Sequence, residues 1–196
     1  SIEGGGKNPF VVCDDADLEK AAIWASASAF VDAGQRCAAA TRIIIFDSIY
    51  EDFKKLFLDK VRSLSVGTSD SDDYGAIINE KRMKAILDAV KMAVKRGATL
   101  IMGGNRLDDK ARKNGYFIAP TVLENVRASD EISKMELFGP VVILYRVANL
   151  QEAIRLANDA LFKLAGTIHT KSIDRAQEFI RHYHAGVVRV NGPTHG

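Results

Sequence analysis

From residue 10 to residue 191 short apolar, β-branched runs alternate with amphipathic stretches of ten or more residues. FVVC (10–13), TRIIIF (41–46), ATLIM (98–102), PVVILYRV (140–147), LAGTIHT (164–170) and VVRVN (187–191) read as strands. The stretches between most of them carry apolar residues at helical spacing. Strands separated by helices favour parallel pairing, because a parallel connection must cross over the sheet. These strands are continuously apolar rather than alternating, which marks strands covered on both faces. The pattern predicts one α/β domain over 1–196, with a mostly parallel sheet and helices on both faces. In such sheets ligands bind beyond the C-terminal ends of the strands, so that rim is where a site is expected.

Punctuation supports the frame. Asp15 reads as an N-cap and Gly34 as a helix stop. Ser48 with Glu51, and Asn149 with Glu152, have the spacing of capping boxes. Gly97 and Gly186 close two further helices. The acidic run at 69–79 reads as a solvated loop, and 103–115 as an exposed excursion. Pro120 assigns YFIAPTVLENV (116–126) to a sheet edge or to irregular structure, since proline cannot donate to a ladder.

Composition narrows the partners. With net charge +2 and no basic block, no nucleic-acid partner is expected. No apolar run approaches the roughly 18 residues of a membrane span, and no signal-peptide pattern opens the chain, so no membrane partner is expected. Cys13 and Cys37 are the only cysteines, and they read as free thiols in a reducing, cytoplasmic setting. The four scattered histidines form no zinc pattern, and no metal site is expected.

Two features invite chemistry. EGGGKN (3–8) places one carboxylate, Glu3, before three glycines and a lysine. Its spacing matches neither a phosphate loop nor a dinucleotide fingerprint. What remains is backbone freedom, either of a flexible terminus or of a place where another group approaches closely. Cys37 follows a helix stop and precedes a strand, a position that suits an exposed, reactive thiol. From that stretch alone a buried, inert cysteine is the commoner case, and Cys13 fits the inert reading. Together, a thiol nucleophile and a separate carboxylate base suit acyl oxidation or hydrolysis.

Here the sequence resembles the aldehyde dehydrogenases. EGGGKNPFVV looks like that family's Glu-Leu-Gly-Gly-Lys-Asn-Pro segment, and GQRC like its nucleophile segment. Glu3 and Cys37 lie 34 positions apart, the family's own separation. GYFIAPTVLENV (115–126), ELFGPVV (136–142) and the closing KLAGTIHTKSIDRA and AGVVRVNGPT resemble further family motifs in order. The ending VNGPTHG looks most like branches acting on small hydrophilic aldehydes and semialdehydes.

The resemblance implies roles. Cys37 would attack the aldehyde carbon, and its backbone N–H would form half of an oxyanion hole. Glu3 would activate water to hydrolyse the thioester, which argues against CoA-acylating relatives. Glu136 would hold the nicotinamide ribose of NAD or NADP, Phe138 would pack near the nicotinamide, and Gly5 and Gly6 would leave room beside the cofactor. Arg36 would orient an anionic group of the substrate, and Asn191 would line the substrate entrance. His195 is given no role. Gly4 departs from the family's Leu and predicts a looser backbone, frayed around Glu3. The resemblance also implies a cofactor-binding domain preceding this segment, carrying the second oxyanion donor, and a homo-oligomeric full-length protein. The fragment alone is expected to be inactive. The rival reading is a non-catalytic structural or assembly domain that keeps the motifs. The aldehyde, and the choice of NAD over NADP, are left open.

Overall fold

The computed structural model describes residues 5–195. Glu3 and Gly4, and the expectation of fraying around them, lie outside the described residues. In chain order the elements are β1 (Asn8–Val12), α1 (Leu18–Phe30), β2 (Ala40–Phe46), α2 (Tyr50–Arg62), α3 (Glu80–Lys95), β3 (Thr99–Met102), β4 (Arg106–Leu107), β5 (Phe117–Ile118), β6 (Thr121–Glu124), α4 (Glu131–Lys134), β7 (Val141–Val147), α5 (Leu150–Asn158), β8 (Ala165–His169), α6 (Ile173–His182) and β9 (Val187–Val190).

The described residues form a seven-stranded sheet in the order β3-β6-β7-β2-β1-β8-β9, with β4 and β5 as a separate pair. Every pairing in the large sheet is parallel except β3 with β6. From β1 the chain steps to β2 in one direction, and from β7 through β8 to β9 in the other. Right-handed crossovers then put α1 on one face and α5 and α6 on the other. The contacts agree: α1 packs on α2, and α5 on α6. All of β1 and β2 is buried, with Phe10, Ile43, Ile44 and Ile45 shielded from solvent. The α/β reading of the sequence therefore holds.

Several local expectations change. Asp17, not Asp15, caps α1, accepting from the Lys20 N–H. Asp15 instead receives the Thr170 hydroxyl and the Lys171 N–H, a tertiary contact invisible to local spacing. The helix ends at Phe30 rather than running to Gly34. Asp32 and Ala33 enter the left-handed region, which α-helix cannot tolerate. The Ser48–Glu51 box does not form: a 3₁₀ turn over Asp47–Ile49 makes Ile49 the cap residue, with no side-chain bond. The Asn149–Glu152 box does form, with Asn149 accepting from the Glu152 N–H and the Glu152 carboxylate reaching back to the Ala148 N–H. α6 stops at His182, four residues before Gly186. Pro120 sits in the break between β5 and β6, so β6 itself pairs on both sides inside the sheet.

Candidate active site

The rim that gathers the candidate residues is the N-terminal one, opposite to expectation. Residues 5–7 lead into β1, residues 31–39 into β2, and residues 135–140 into β7. The usual rule locates a site at the C-terminal rim because outgoing loops meet helix N-termini there. Here the incoming loops are the irregular ones. Their backbones take left-handed conformations at Asp32, Ala33, Gly34 and Phe138, which regular connections avoid.

Cys37 is a free, exposed thiol, whereas Cys13 is buried at the end of β1 and its thiol is pushed up to about 12 by burial, with Asp15 adding to the effect. Asn8 fixes the Cys37 loop. Its amide donates to the carbonyls of Cys37 (2.8 Å) and Ala39 (3.0 Å), and its oxygen accepts from the Ala165 N–H. One fully buried side chain thus ties the starts of β1, β2 and β8 together. Among the described residues the Cys37 N–H donates to no group of the protein, which leaves it available to an oxyanion.

Glycine is required where loops touch. Gly34 has φ +65°, and a Cβ there would lie 2.4 Å from the Gly139 carbonyl oxygen. That contact seats the Cys37 loop on the loop carrying Glu136 and Phe138. The latter is held from below by α3, since Arg82 donates to the Leu137 carbonyl and Ile86 packs under Gly139. A Cβ on Gly5 would fall 2.2 Å from Glu136 Oε2, and Glu136 Oε1 accepts the Gly6 N–H at 3.0 Å. The structure therefore brings Gly5 and Glu136 into contact. Among the described residues Oε2 has no hydrogen-bond donor, which leaves one carboxylate oxygen open to a ligand hydroxyl. Phe138 stands beside it, with 37% of its surface exposed.

Behind this cradle lie two buried cations. Arg42, fully buried within β2, donates to the carbonyls of Lys7, Leu156, Ala157 and Asp159. Its guanidinium joins the entry of β1 to the C-terminal end of α5, where helix carbonyls lack partners and favour a cation. Lys7 is 3% exposed. Burial and the neighbouring Arg42 pull its ammonium down to about 7, while Glu136 works the other way.

The end of the chain returns to the same rim. Thr194 is buried: its N–H donates to Ser28 Oγ (3.1 Å), and its hydroxyl donates to the Ala38 carbonyl (2.6 Å). His195 then meets Arg36, with Nη2 to Nδ1 at 3.0 Å. So His195, assigned no role from the sequence, flanks Cys37. Asn191 does not reach the site. Both ends of its amide bond the backbone of Thr170 (3.0 and 2.9 Å) at the far end of β8, and it adopts φ +53°. Sequence reasoning missed Asn8, Arg42 and His195. A charged residue beside an apolar run was the available signal for Arg42. Among the described residues no group of His, Cys, Asp or Glu has metal-binding geometry.

Comparison with known proteins identifies the family. The profile of the aldehyde dehydrogenase family matches residues 1–196. Alpha-ketoglutaric semialdehyde dehydrogenase of Bacillus subtilis is 38% identical over 197 residues, covering 100% of this chain and 40% of that protein. Alpha-ketoglutarate semialdehyde dehydrogenase of Haloferax volcanii is 35% identical, covering 99% of this chain and 40% of its own length. The crystal structure of betaine aldehyde dehydrogenase from Staphylococcus aureus in complex with NAD+ superposes with a TM-score of 0.94 at 36% identity, covering 98% of this chain and 38% of that one. The chain thus spans about 40% of the length of the curated relatives it matches.

Proposed function

Because the chain belongs to the aldehyde dehydrogenase family, we propose that it is the catalytic part of an NAD(P)-dependent, non-acylating enzyme that oxidises an aldehyde to a carboxylic acid. The observation that carries this is Cys37, an exposed thiol on a loop fixed by Asn8, with an unengaged N–H at its own backbone. Cys37 Sγ adds to the aldehyde carbon, and the negative charge arriving on oxygen meets the Cys37 N–H. When bound, NAD or NADP supplies the two-electron oxidant for that carbon. The thiohemiacetal on Cys37 then becomes a thioester. We assign Glu3, outside the described residues, as the base that deprotonates the water cleaving it.

Glu136, with Oε2 unengaged beside Gly5, fits the ribose hydroxyls of the cofactor, and Phe138 fits the nicotinamide. Arg36 is the substrate-facing cation. Asn191 acts at one remove, by setting the turn that returns residues 192–195 to Cys37. The cofactor-binding domain, with the second oxyanion donor, is supplied by chain outside these 196 residues, and the full-length protein is a homo-oligomer. The two free thiols support a cytoplasmic setting. Relatives are named for alpha-ketoglutaric semialdehyde, benzaldehyde and betaine aldehyde, so kinship leaves the aldehyde open.

Missing one oxyanion donor costs about 2.7–4 kcal/mol, and missing cofactor positioning costs more. Residues 1–196 alone should therefore show almost no NAD(P)-dependent turnover, and robust turnover would contradict the proposal. In the full-length protein Cys37→Ser should abolish aldehyde oxidation while Cys13→Ser retains it. If Cys37→Ser retains it too, and Cys37 is alkylated no faster than a free thiol, the non-catalytic assembly role takes over.

A further inference from the structure

We infer that Thr194 is a positioning residue for the oxyanion donor at Cys37, acting through a relay of hydrogen bonds that runs from its hydroxyl through two peptide groups to the Cys37 N–H. This rests on the preceding reading of Cys37 as the nucleophile and adds to that reaction a residue from the far end of the chain. Residues 36–39 close a single turn, in which the Ala39 N–H donates to the Arg36 carbonyl at 3.1 Å. Each of the four carbonyls in that turn has a donor. Arg36 takes the Ala39 N–H, Cys37 and Ala39 take the Asn8 amide, and Ala38 takes the Thr194 hydroxyl at 2.6 Å. The N–H groups behave in the opposite way. Among the described residues those of Arg36, Cys37 and Ala38 donate to no group of the protein. A turn with its acceptors filled and three successive donors open offers only donors to a developing negative charge.

Peptide planarity links these bonds into a path. In a trans peptide the C=O and the N–H share one plane and point in opposite directions. Thr194 holds the carbonyl of the Ala38–Ala39 peptide, so the N–H of that same peptide is aimed at the Arg36 carbonyl. The Arg36 carbonyl belongs to the Arg36–Cys37 peptide, whose other end is the Cys37 N–H. Thr194 therefore sets the direction of the Cys37 N–H without touching substrate. Hydrogen bonds in such a chain also polarise one another, so the hydroxyl at its head strengthens the donor at its end.

The hydroxyl is itself preorganised. Thr194 is 1% exposed, and its own N–H is held by Ser28 Oγ of α1 at 3.1 Å. Two residues earlier the Gly192 carbonyl accepts from the Thr167 hydroxyl (2.9 Å) and from His169 Nε2 (3.1 Å). The strap is thus fastened to β8 and to α1 on either side of Pro193. Among the described residues no group donates to Thr194 Oγ1, which makes it the head of the relay and not a link within it.

The test separates two reactions of the same thiol in the full-length protein. Iodoacetamide alkylates Cys37 Sγ by displacing iodide, and no tetrahedral oxyanion forms. p-Nitrophenyl acetate acylates it: Sγ adds to the ester carbonyl, an oxyanion forms, and its collapse expels p-nitrophenolate. Neither reaction needs the dinucleotide. A relay to the oxyanion donor acts on the second and not on the first. Thr194→Val keeps the volume and removes the hydroxyl. It should slow acylation about tenfold, less than the roughly 100- to 1,000-fold lost with a direct oxyanion donor, and leave alkylation within about twofold. Thr194→Ser should restore acylation. If Thr194→Val does not fold, Ser28→Ala keeps the hydroxyl but releases the Thr194 N–H, and the same split should appear at smaller size. Acylation unchanged in Thr194→Val, or in Ser28→Ala where that variant stands in for it, overturns the relay and leaves Cys37 as the nucleophile. So does a fall of acylation and alkylation by one common factor, which is the mark of a merely structural role. Wild-type Cys37 inert to both reagents overturns the relay and the nucleophile together.

Discussion

The two rims of the sheet are built from the same strands and do opposite things. At the C-terminal rim a network of charges is paired. Arg175 pairs with Asp14 and Asp15, Asp15 also takes the Thr170 hydroxyl and the Lys171 N–H, and Arg146 joins Asp47 to Glu51. That rim also contains a cavity of about 490 Å³ lined by Asp14, Asp47, Asn149, Arg175 and Glu178 among others. At the N-terminal rim groups are left unengaged: an exposed thiol, one oxygen of Glu136, an aromatic ring at positive φ and the Arg36 Nε–H. Volume locates the first rim and unsatisfied chemistry the second. Reactivity follows the second, because a group already paired must lose that pairing before it can act.

The largest effect expected from this contrast is on activity. Cys37→Ser in the full-length enzyme should lower kcat by several orders of magnitude. Asp14→Asn, at the opposite rim, should change it by less than about threefold, as surface substitutions away from a site usually do. Steady-state kinetics on both variants would decide, and a large loss from Asp14→Asn would erase the distinction between the rims.

Next comes the buried scaffold of the N-terminal rim. Arg42→Ala leaves the carbonyls of Lys7, Leu156, Ala157 and Asp159 without their donor. Removing one partner from a buried charged network typically costs about 3–5 kcal/mol. Urea unfolding should show that loss, and a shift below about 1 kcal/mol would mean that water replaces the guanidinium easily.

These residues also show what a sequence can and cannot disclose. Strands β1, β2, β7 and β8 were legible because burial on both faces demands continuous apolar runs, and the Asn149 cap because its partner is three residues away. Cys37, Glu136 and Phe138 became visible through motifs, since short segments preserve local backbone requirements such as Gly34 facing Gly139. Arg42 was hidden inside TRIIIF. Its acceptors are the Lys7 carbonyl and the end of a helix more than a hundred residues later, and no local pattern announces them. His195 was hidden for the same reason, because only the return of the strap past Thr194 brings it to Arg36. The rim itself was misplaced because the general rule concerns outgoing loops, whereas this site is assembled from incoming ones.

A smaller effect separates the rims by pH. His169 stacks on Phe10 at 4.4 Å, bonds the Gly192 carbonyl, and is pushed down to about 4 by burial. Its folded pKa is below the unfolded value, so the unfolded state binds more protons and stability falls as pH drops from 6.5 toward 4. The full loss is roughly 3 kcal/mol. His169→Phe should remove that acid sensitivity in unfolding midpoints measured from pH 7 to pH 4. An unchanged slope would assign the acid loss to carboxylates instead, such as Asp15 in its pairing with Arg175.

The smallest effect is the most selective. Asn149 caps α5 at the C-terminal rim, accepting the Glu152 N–H at 3.0 Å, far along the chain from Cys37 and on the opposite side of the sheet. Asn149→Ala removes one acceptor from the first turn of a nine-residue helix, a change worth about 1 kcal/mol. The carbonyls at the other end of that helix accept from Arg42, which ties α5 to the entry of β1 and so to the Gly5–Glu136 cradle. If the rims are independent, Asn149→Ala should lower the unfolding free energy and leave the alkylation rate of Cys37 unchanged. If α5 transmits its fraying through Arg42, the same variant should also alter Cys37 reactivity. Measuring both quantities on the one variant, with Asn149→Ser to restore the cap, distinguishes a sheet with two separate rims from one in which a single helix couples them.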